Sequence, residues 1–220
     1  MTRHHPPITA SQHRRTIARG RVTAFFQPSR WALSLSLLGL SALPAHAGAG
    51  IDDWLCLTQD MTGDDSARAQ FIVAVSEASE RFAIAPAVLV ALKKTETGNG
   101  LDPQVIHRNA NGSVDRGYFQ INVRTWLPEL HRIGASIDVQ ALHGVRSNAM
   151  VAAWVLRREL RGRSLLQGIG RYHKGGGDDA RARRIRQRYL DSFKRHLIAL
   201  VKQCQEPASR PTTKPLITQR

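Results

Sequence analysis

The chain has 220 residues, 42% hydrophobic and 22% charged, with 32 Lys and Arg against 17 Asp and Glu for a formal net charge of +15. That length holds one domain, or two small ones, and excludes a large multidomain assembly. The basic balance favours an anionic partner, whether cell wall, membrane surface or nucleic acid, without choosing among them.

Residues 1–47 carry six basic side chains and no acidic one. Their apolar run, Trp31 to Leu43, is too short for a stable bilayer anchor, and it leads through Pro44 into Ala45-His46-Ala47. A positive start, an apolar middle and a small-residue exit read as a secretory signal cut after Ala47. An uncleaved N-terminal anchor is the alternative. Export places the protein in the periplasm or outside the cell, with no stable membrane span once the signal is removed. The remaining residues hold 26 basic and 17 acidic side chains, a net charge of +9. They divide into a domain over 48–204 and a Pro- and Thr-rich tail over 205–220, read as disordered. Cys56 and Cys204, an even pair in an exported chain, are expected to form a disulfide.

The domain reads as helices joined by polar loops. Asp64, Asp65 and Ser66 mark the start of a helix with Phe71, Ile72, Val75, Ala78 and Phe82 at helical spacing. Pro86 suits the first turn of a second, which Gly98 stops. Residues 98–117 are rich in Gly, Asn and Asp and form a loop or a small irregular hairpin. A short helix spans Val123 to Ile133. Ser147 is expected to cap an alanine-rich helix, and a further one runs from Leu165 to Tyr172, closed by Gly175-Gly176-Gly177. The last runs from Asp178 to about Cys204 and buries Ile185, Tyr189, Phe193, Leu197 and Leu200.

Glu96 is the informative position. Leu89, Leu92 and Glu96 fall at i, i+3 and i+7, so the carboxyl continues the apolar face of its helix, while Lys93 and Lys94 are expected to point elsewhere. Burial resists the charge, and the C-terminal end of a helix repels an anion. Both raise the pKa toward the range where a protonated carboxyl is available near neutral pH. The bland alternative is a surface Glu on a frayed last turn.

Glu96-Thr97-Gly98-Asn99 is followed by Asn111-Gly112-Ser113-Val114-Asp115-Arg116-Gly117-Tyr118-Phe119-Gln120-Ile121-Asn122. This order resembles the lysozyme-like soluble lytic transglycosylases, nearest the small exported members that accompany secretion, pilus and conjugation machines. Ser147-Asn148-Ala149 and Gly170-Arg171-Tyr172-His173-Lys174-Gly175 resemble two further motifs of that family, so the likeness covers roughly residues 84–176. It implies an all-α, lysozyme-like helical domain with an irregular loop or minor β-hairpin around 105–122 beside a cleft.

The resemblance implies Glu96 as the single catalytic acid and base. It implies Gln120 as a lining of the sugar cleft, Tyr172 as the hydroxyl that orients the carboxyl, and Asn148 as a shaper of the cleft floor. Thr97 stands where the family has serine, with a hydroxyl to offer the acid. Phe119 replaces a methionine and His173 an asparagine, both with consequences for sugar preference. The implied reaction cleaves the bond between N-acetylmuramic acid and N-acetylglucosamine and closes a 1,6-anhydro ring, with no cofactor.

Asp115 leaves an alternative open. The same Asn-Gly-Ser-x-Asp-x-Gly run resembles chicken-type lysozymes, in which that aspartate is the second carboxylate of a hydrolase. Otherwise Asp115 hydrogen-bonds its own loop. A third reading is a non-catalytic cell-wall-binding assembly factor using the cleft to hold glycan. The expected partners are peptidoglycan glycan strands, with a secretion, pilus or conjugation assembly as a second candidate.

The histidines show no metal-ligand spacing, so no metal site is expected. The Gly175 run lacks the Lys-Ser/Thr of a phosphate loop. Nucleic acid is not expected as a partner, because no recognition motif accompanies the charge. The arginines between Arg181 and Arg188 read as a solvated face, with contact to anionic glycan or lipid headgroups as a second use.

Overall fold

The computed structural model describes residues 51–205, with side chains from Trp54 onward. The signal segment expected over 1–47 lies outside them, as does the expected tail apart from Gln205. The chain enters through α1, Ile51–Thr58, a helix the sequence pattern did not reveal. Its eight residues are too few for periodicity to register, and its described buried side chains are Trp54, Leu57 and Thr58.

Asp64 accepts the Ala67 amide at 2.7 Å and starts α2, Asp65–Phe82. Pro86 opens α3, Pro86–Thr97, where its missing N–H is no loss, and Gly98 ends it. The polar stretch that follows is more ordered than a loop. It forms β1 (Ile106–Arg108), β2 (Val114–Arg116) and β3 (Ile121–Asn122), an antiparallel sheet in the order β1-β2-β3. In its register Asp115 faces His107 on one side and Asn122 on the other.

Asn122 then caps α4, Val123–Arg132, by accepting the Thr125 amide at 3.0 Å. The alanine-rich helix α5 covers Val145–Glu159. Its N-cap is Gly144, so Ser147 lies within the helix, a correction to the expected cap. Ser164 and Gln167 form a reciprocal capping box that starts α6, Leu165–Lys174. Asp179 accepts the Ala182 amide at 2.9 Å and caps α7, Ala180–Gln205, which begins two residues after the expected start at Asp178.

The protein is therefore mostly helical with one small antiparallel sheet. Helix α2 packs on α5, and α7 packs on α3, α6 and α1. Phe71, Leu89, Leu92, Leu156 and Phe193 are fully buried where these helices meet. Among the described residues, no helix is long and apolar enough to cross a membrane.

Lys93 and Lys94, expected to point elsewhere than the apolar face of α3, are both buried. Lys93 Nζ donates to the carbonyls of Gly98 at 2.8 Å and Gly100 at 2.5 Å, and sits 5.4 Å from the Tyr118 ring centroid. Burial, with Lys94 nearby, lowers its pKa to about 8. Lys94 is paired with Asp60 at 2.5 Å. Each ammonium is taken out of water against partners that periodicity cannot show, two carbonyls beyond the helix end and an acid 34 residues earlier.

Cys56 and Cys204 form a disulfide with Cα atoms 5.2 Å apart, joining α1 to α7 across 148 residues. No free cysteine is present among the described residues. Closing so long a loop removes much of the unfolded chain's freedom. Replacing both cysteines with serine is expected to lower the unfolding free energy by about 3–5 kcal/mol, read by urea denaturation against the oxidised protein. A loss below about 1 kcal/mol would mean that α1 and α7 hold together without the bridge.

Candidate active site

A cleft of about 1020 Å³ lies between the sheet on one side and α6 with the start of α7 on the other. Glu96, Asp115, Gln120, Tyr172 and His173 all line it, so the structure gathers five of the eight expected residues on one wall-to-wall site. Thr97, Phe119 and Asn148 stand behind the lining.

Glu96 sits on the last turn of α3, partly open to the cleft. Desolvation pushes its pKa up to about 8, and the negative charge of Asp115 adds to the rise. One hydrogen bond opposes it, from the Tyr189 hydroxyl at 2.5 Å. The group that holds the acid is thus Tyr189 on α7. The Tyr172 hydroxyl instead donates to the Phe119 carbonyl at 2.8 Å, which corrects the role expected of it. Burial, with Glu96 close by, drives both tyrosines well above their ordinary pKa and keeps their protons in place. The His173 ring stacks on Tyr189, centroids 4.1 Å apart and nearly parallel. Burial, helped by Lys174, lowers the His173 pKa, so the ring favours its neutral form.

Asp115 is tied down on both oxygens. Asn122 Nδ2 donates to one at 2.6 Å and Asn109 Nδ2 to the other at 2.8 Å. Ser113 knits the same group, within 3.0 Å of Asn122 Nδ2 and donating to Asn111 Oδ1 at 2.8 Å. The carboxylate is an acceptor for its own hairpin, the local role weighed for it, while remaining on the cleft wall.

Asn148 works from beneath. Its Oδ1 accepts the Phe119 amide at 2.9 Å, and its Nδ2 donates to Arg116 O and Leu142 O, each at 2.9 Å. The side chain is 1% exposed, so it fixes the turn between β2 and β3 and touches no ligand. Thr97 Oγ1 lies 2.9 Å from Tyr118 O and 3.2 Å from Lys93 O. It stitches α3 to that turn, and the expected donation to the acid is not made. Phe119 is fully buried and stacked on Phe71, so its side chain cannot read a sugar.

The turn itself is tight. Gly117 has φ +72, and a Cβ there would meet Asn148 Nδ2 at 2.4 Å and Leu142 O at 2.6 Å. Gln120 follows with φ 48, rare for a residue with a side chain, and its Nε2 donates to Gly117 O at 2.8 Å. The backbone accepts that conformation because Asn148 and Tyr172 hold Phe119 from both sides.

The residues not foreseen are Tyr189, Asn109, Ser113 and Asn122. Tyr189 had a signal, a hydroxyl on an otherwise apolar face, but the 3.6-residue period reports burial and not where a hydroxyl points. The Asn and Ser run was visible and its spacing in a hairpin could have suggested an amide cage. Among the described residues, no cluster of His, Cys, Asp and Glu is suited to a metal ion. Compared with known proteins, the chain matches no family model, no curated protein and no solved structure.

Two outcomes follow from this geometry. Folded, Glu96 keeps its proton up to about pH 8, whereas an ordinary carboxyl releases it near 4.5, so the folded state loses stability relative to the unfolded one as pH rises through that window. Glu96→Gln removes the titration, and its melting temperature is expected to climb relative to wild type from about pH 5 to about pH 8. A gap that stays constant across the window would refute the burial of the acid. Gly117→Ala should displace Asn148, lowering the melting temperature by about 5 °C or more. Unchanged melting and an unchanged amide proton shift at Phe119 would show that the turn absorbs the methyl.

Proposed function

We propose that this chain is an enzyme that cleaves glycosidic bonds in an extended carbohydrate. In particular, we read it as an exported peptidoglycan lytic transglycosylase of lysozyme-like fold. The observation that carries the reading is Glu96, a carboxyl that keeps its proton near neutral pH in an open cleft, held by a single tyrosine hydroxyl. Binding alone has no use for an acid maintained at a cost to stability. The helical body with a small sheet flanking the cleft is in keeping with a lysozyme-like arrangement, and the motif order from Glu96 to Tyr172 points to the same family.

In the proposed reaction protonated Glu96 donates to the oxygen that leaves between N-acetylmuramic acid and N-acetylglucosamine. The substrate's acetamido oxygen supports the positive charge that develops at C1. Glu96, now a carboxylate stabilised by the Tyr189 hydroxyl, removes the proton from the muramic acid 6-hydroxyl, whose oxygen then bonds to C1. The acetamido group is released, Glu96 recovers its proton, and a 1,6-anhydro sugar forms without water. Asp115 favours this scheme as a fixed negative charge that keeps Glu96 protonated and lends electrostatic support to the cation. Its position on the cleft wall also motivates a second reading, a hydrolase in which Asp115 takes part directly. Against that reading stands the occupation of both its oxygens by amides. An exported location, and a role in local wall remodelling beside a secretion, pilus or conjugation assembly, belong to the same proposal.

Glu96→Gln is expected to lose all but about a hundredth of wild-type sacculus clearing, with folding intact. Retention of more than about a tenth would remove Glu96 from the chemistry. Mass spectrometry of wild-type products should show muropeptides lighter by one water than their hydrolysed counterparts. Asp115→Asn should cost on the order of tenfold or less and leave the products anhydro. Reducing-end products from wild type, joined to near-complete loss in Asp115→Asn at an unchanged melting temperature, would establish the hydrolase instead.

A further inference from the structure

Helix α7 carries eight Lys and Arg side chains and one acid over its 26 residues. Its inner face is spent on Tyr189, Phe193 and Leu200, all buried. On the outer face, Arg181, Arg184, Arg188, Asp191, Arg195, Ile198 and Lys202 recur at alternating spacings of three and four, and every one of them is exposed. Five of these seven positions are cationic, along roughly 32 Å of helix. Arg183 and Arg186 find a partner in Asp178, but among the described residues the five stripe cations make no ion pair and no side-chain hydrogen bond. The first turn of α7 also contains arginine and no acid, an arrangement that the positive end of the helix dipole disfavours. The Arg181 end of the stripe therefore lies against the helix dipole, and among the described residues no ion pair offsets it. Its first member, Arg181, lines the cleft beside Lys174.

We propose that the outer face of α7 is a docking surface for the carboxylates spaced along a peptidoglycan strand, continuing the cleft from Arg181 to Lys202. The inference rests on the proposed function. The continuity at Arg181 favours the polymer that fills the cleft over a lipid surface, because the same strand reaches both. A row of separate cations suits repeated charges on a chain, and those beyond Arg181 stand outside the cleft lining, where they hold the polymer without entering the chemistry. The surface raises the residence of the enzyme on polymeric wall and leaves turnover of a short uncharged oligosaccharide unaffected.

The test combines Arg184→Gln, Arg188→Gln, Arg195→Gln and Lys202→Gln, which spares Arg181 at the cleft rim and keeps good helix formers on an exposed face. It is made in the Glu96→Gln background so that sacculi stay intact, with circular dichroism and melting compared with the parent. The dissociation constant for purified sacculi is expected to rise by about tenfold or more at low salt, and the difference to vanish near 0.5 M sodium chloride through screening. The parent should lose the same factor on sacculi whose carboxylates are capped by carbodiimide coupling to ethanolamine, where the variant loses nothing further. A paired variant, Arg188→Gln with Arg195→Gln, should show about half the logarithmic effect and covers the case in which the fourfold variant folds poorly. Equal binding of native sacculi by parent and variants, or indifference of the parent to capping, overturns the proposal. So does parent binding to phosphatidylglycerol vesicles through these four side chains with sacculus binding unchanged, which would assign the face to membrane. Should docking behave as expected while active enzyme releases no glycan products, the catalytic reading fails and the docking surface stands.

Discussion

The structure is organised around desolvating one carboxyl at the wall of a cleft without giving it a positive partner. A cation beside Glu96 would stabilise its charged form and abolish the proton it holds near neutral pH. Lys93 and Lys94 precede it by three and two residues, and both are drawn away, Lys93 onto carbonyls past the helix end and Lys94 onto Asp60. What remains for Glu96 is a neutral hydroxyl from Tyr189. That single contact requires α7 to lie against α3, and α7 is fixed there by its own buried face and by the bridge to α1.

The opposite wall solves a different problem, holding polar groups at the rim of a cleft without letting the loop that bears them wander. Two devices do this. Asn148, buried in α5, spends its whole amide on the backbone of the turn between β2 and β3, and Tyr172 adds a hydroxyl to the same segment. In front of them, Asn109 and Asn122 hold the Asp115 carboxylate, and the Ser113 hydroxyl ties those two amides together. An amide can satisfy donors and acceptors at once, so a fully bonded Asn is a stiff fastener in a place where an apolar contact would leave carbonyls unpaired.

Much of this was legible in the sequence because it rests on local rules. Asp64, Pro86, Gly98 and the glycines after α6 mark helix ends by their own chemistry, and the period of Phe71, Val75 and Ala78 marks a buried face. Glu96 stood out as a polar group on an apolar stripe. The unread parts depend on long-range partners. Lys93 and Lys94 look like surface residues until the carbonyls and the acid that receive them are in place. The exchange of roles between Tyr172 and Tyr189 turns on which hydroxyl reaches which oxygen across helices, and residue spacing is blind to it. Ser147 was a fair cap by type, but Gly144 entered the helix first. Helix α1 is too short to carry a period at all.

The Cys56–Cys204 bond has a further consequence wherever a protease meets the chain. It turns residues 56–204 into a covalent ring that contains Glu96, the sheet, Asn148 and Tyr189. A protease that cuts one exposed loop within the ring, such as the glycine run after α6, opens the ring but sets no fragment free. The two sides of the cut stay tethered at a high effective concentration and held by the same packing as before. Damage that would disperse a linear chain leaves this one whole, and two cuts are needed before any part of the site departs.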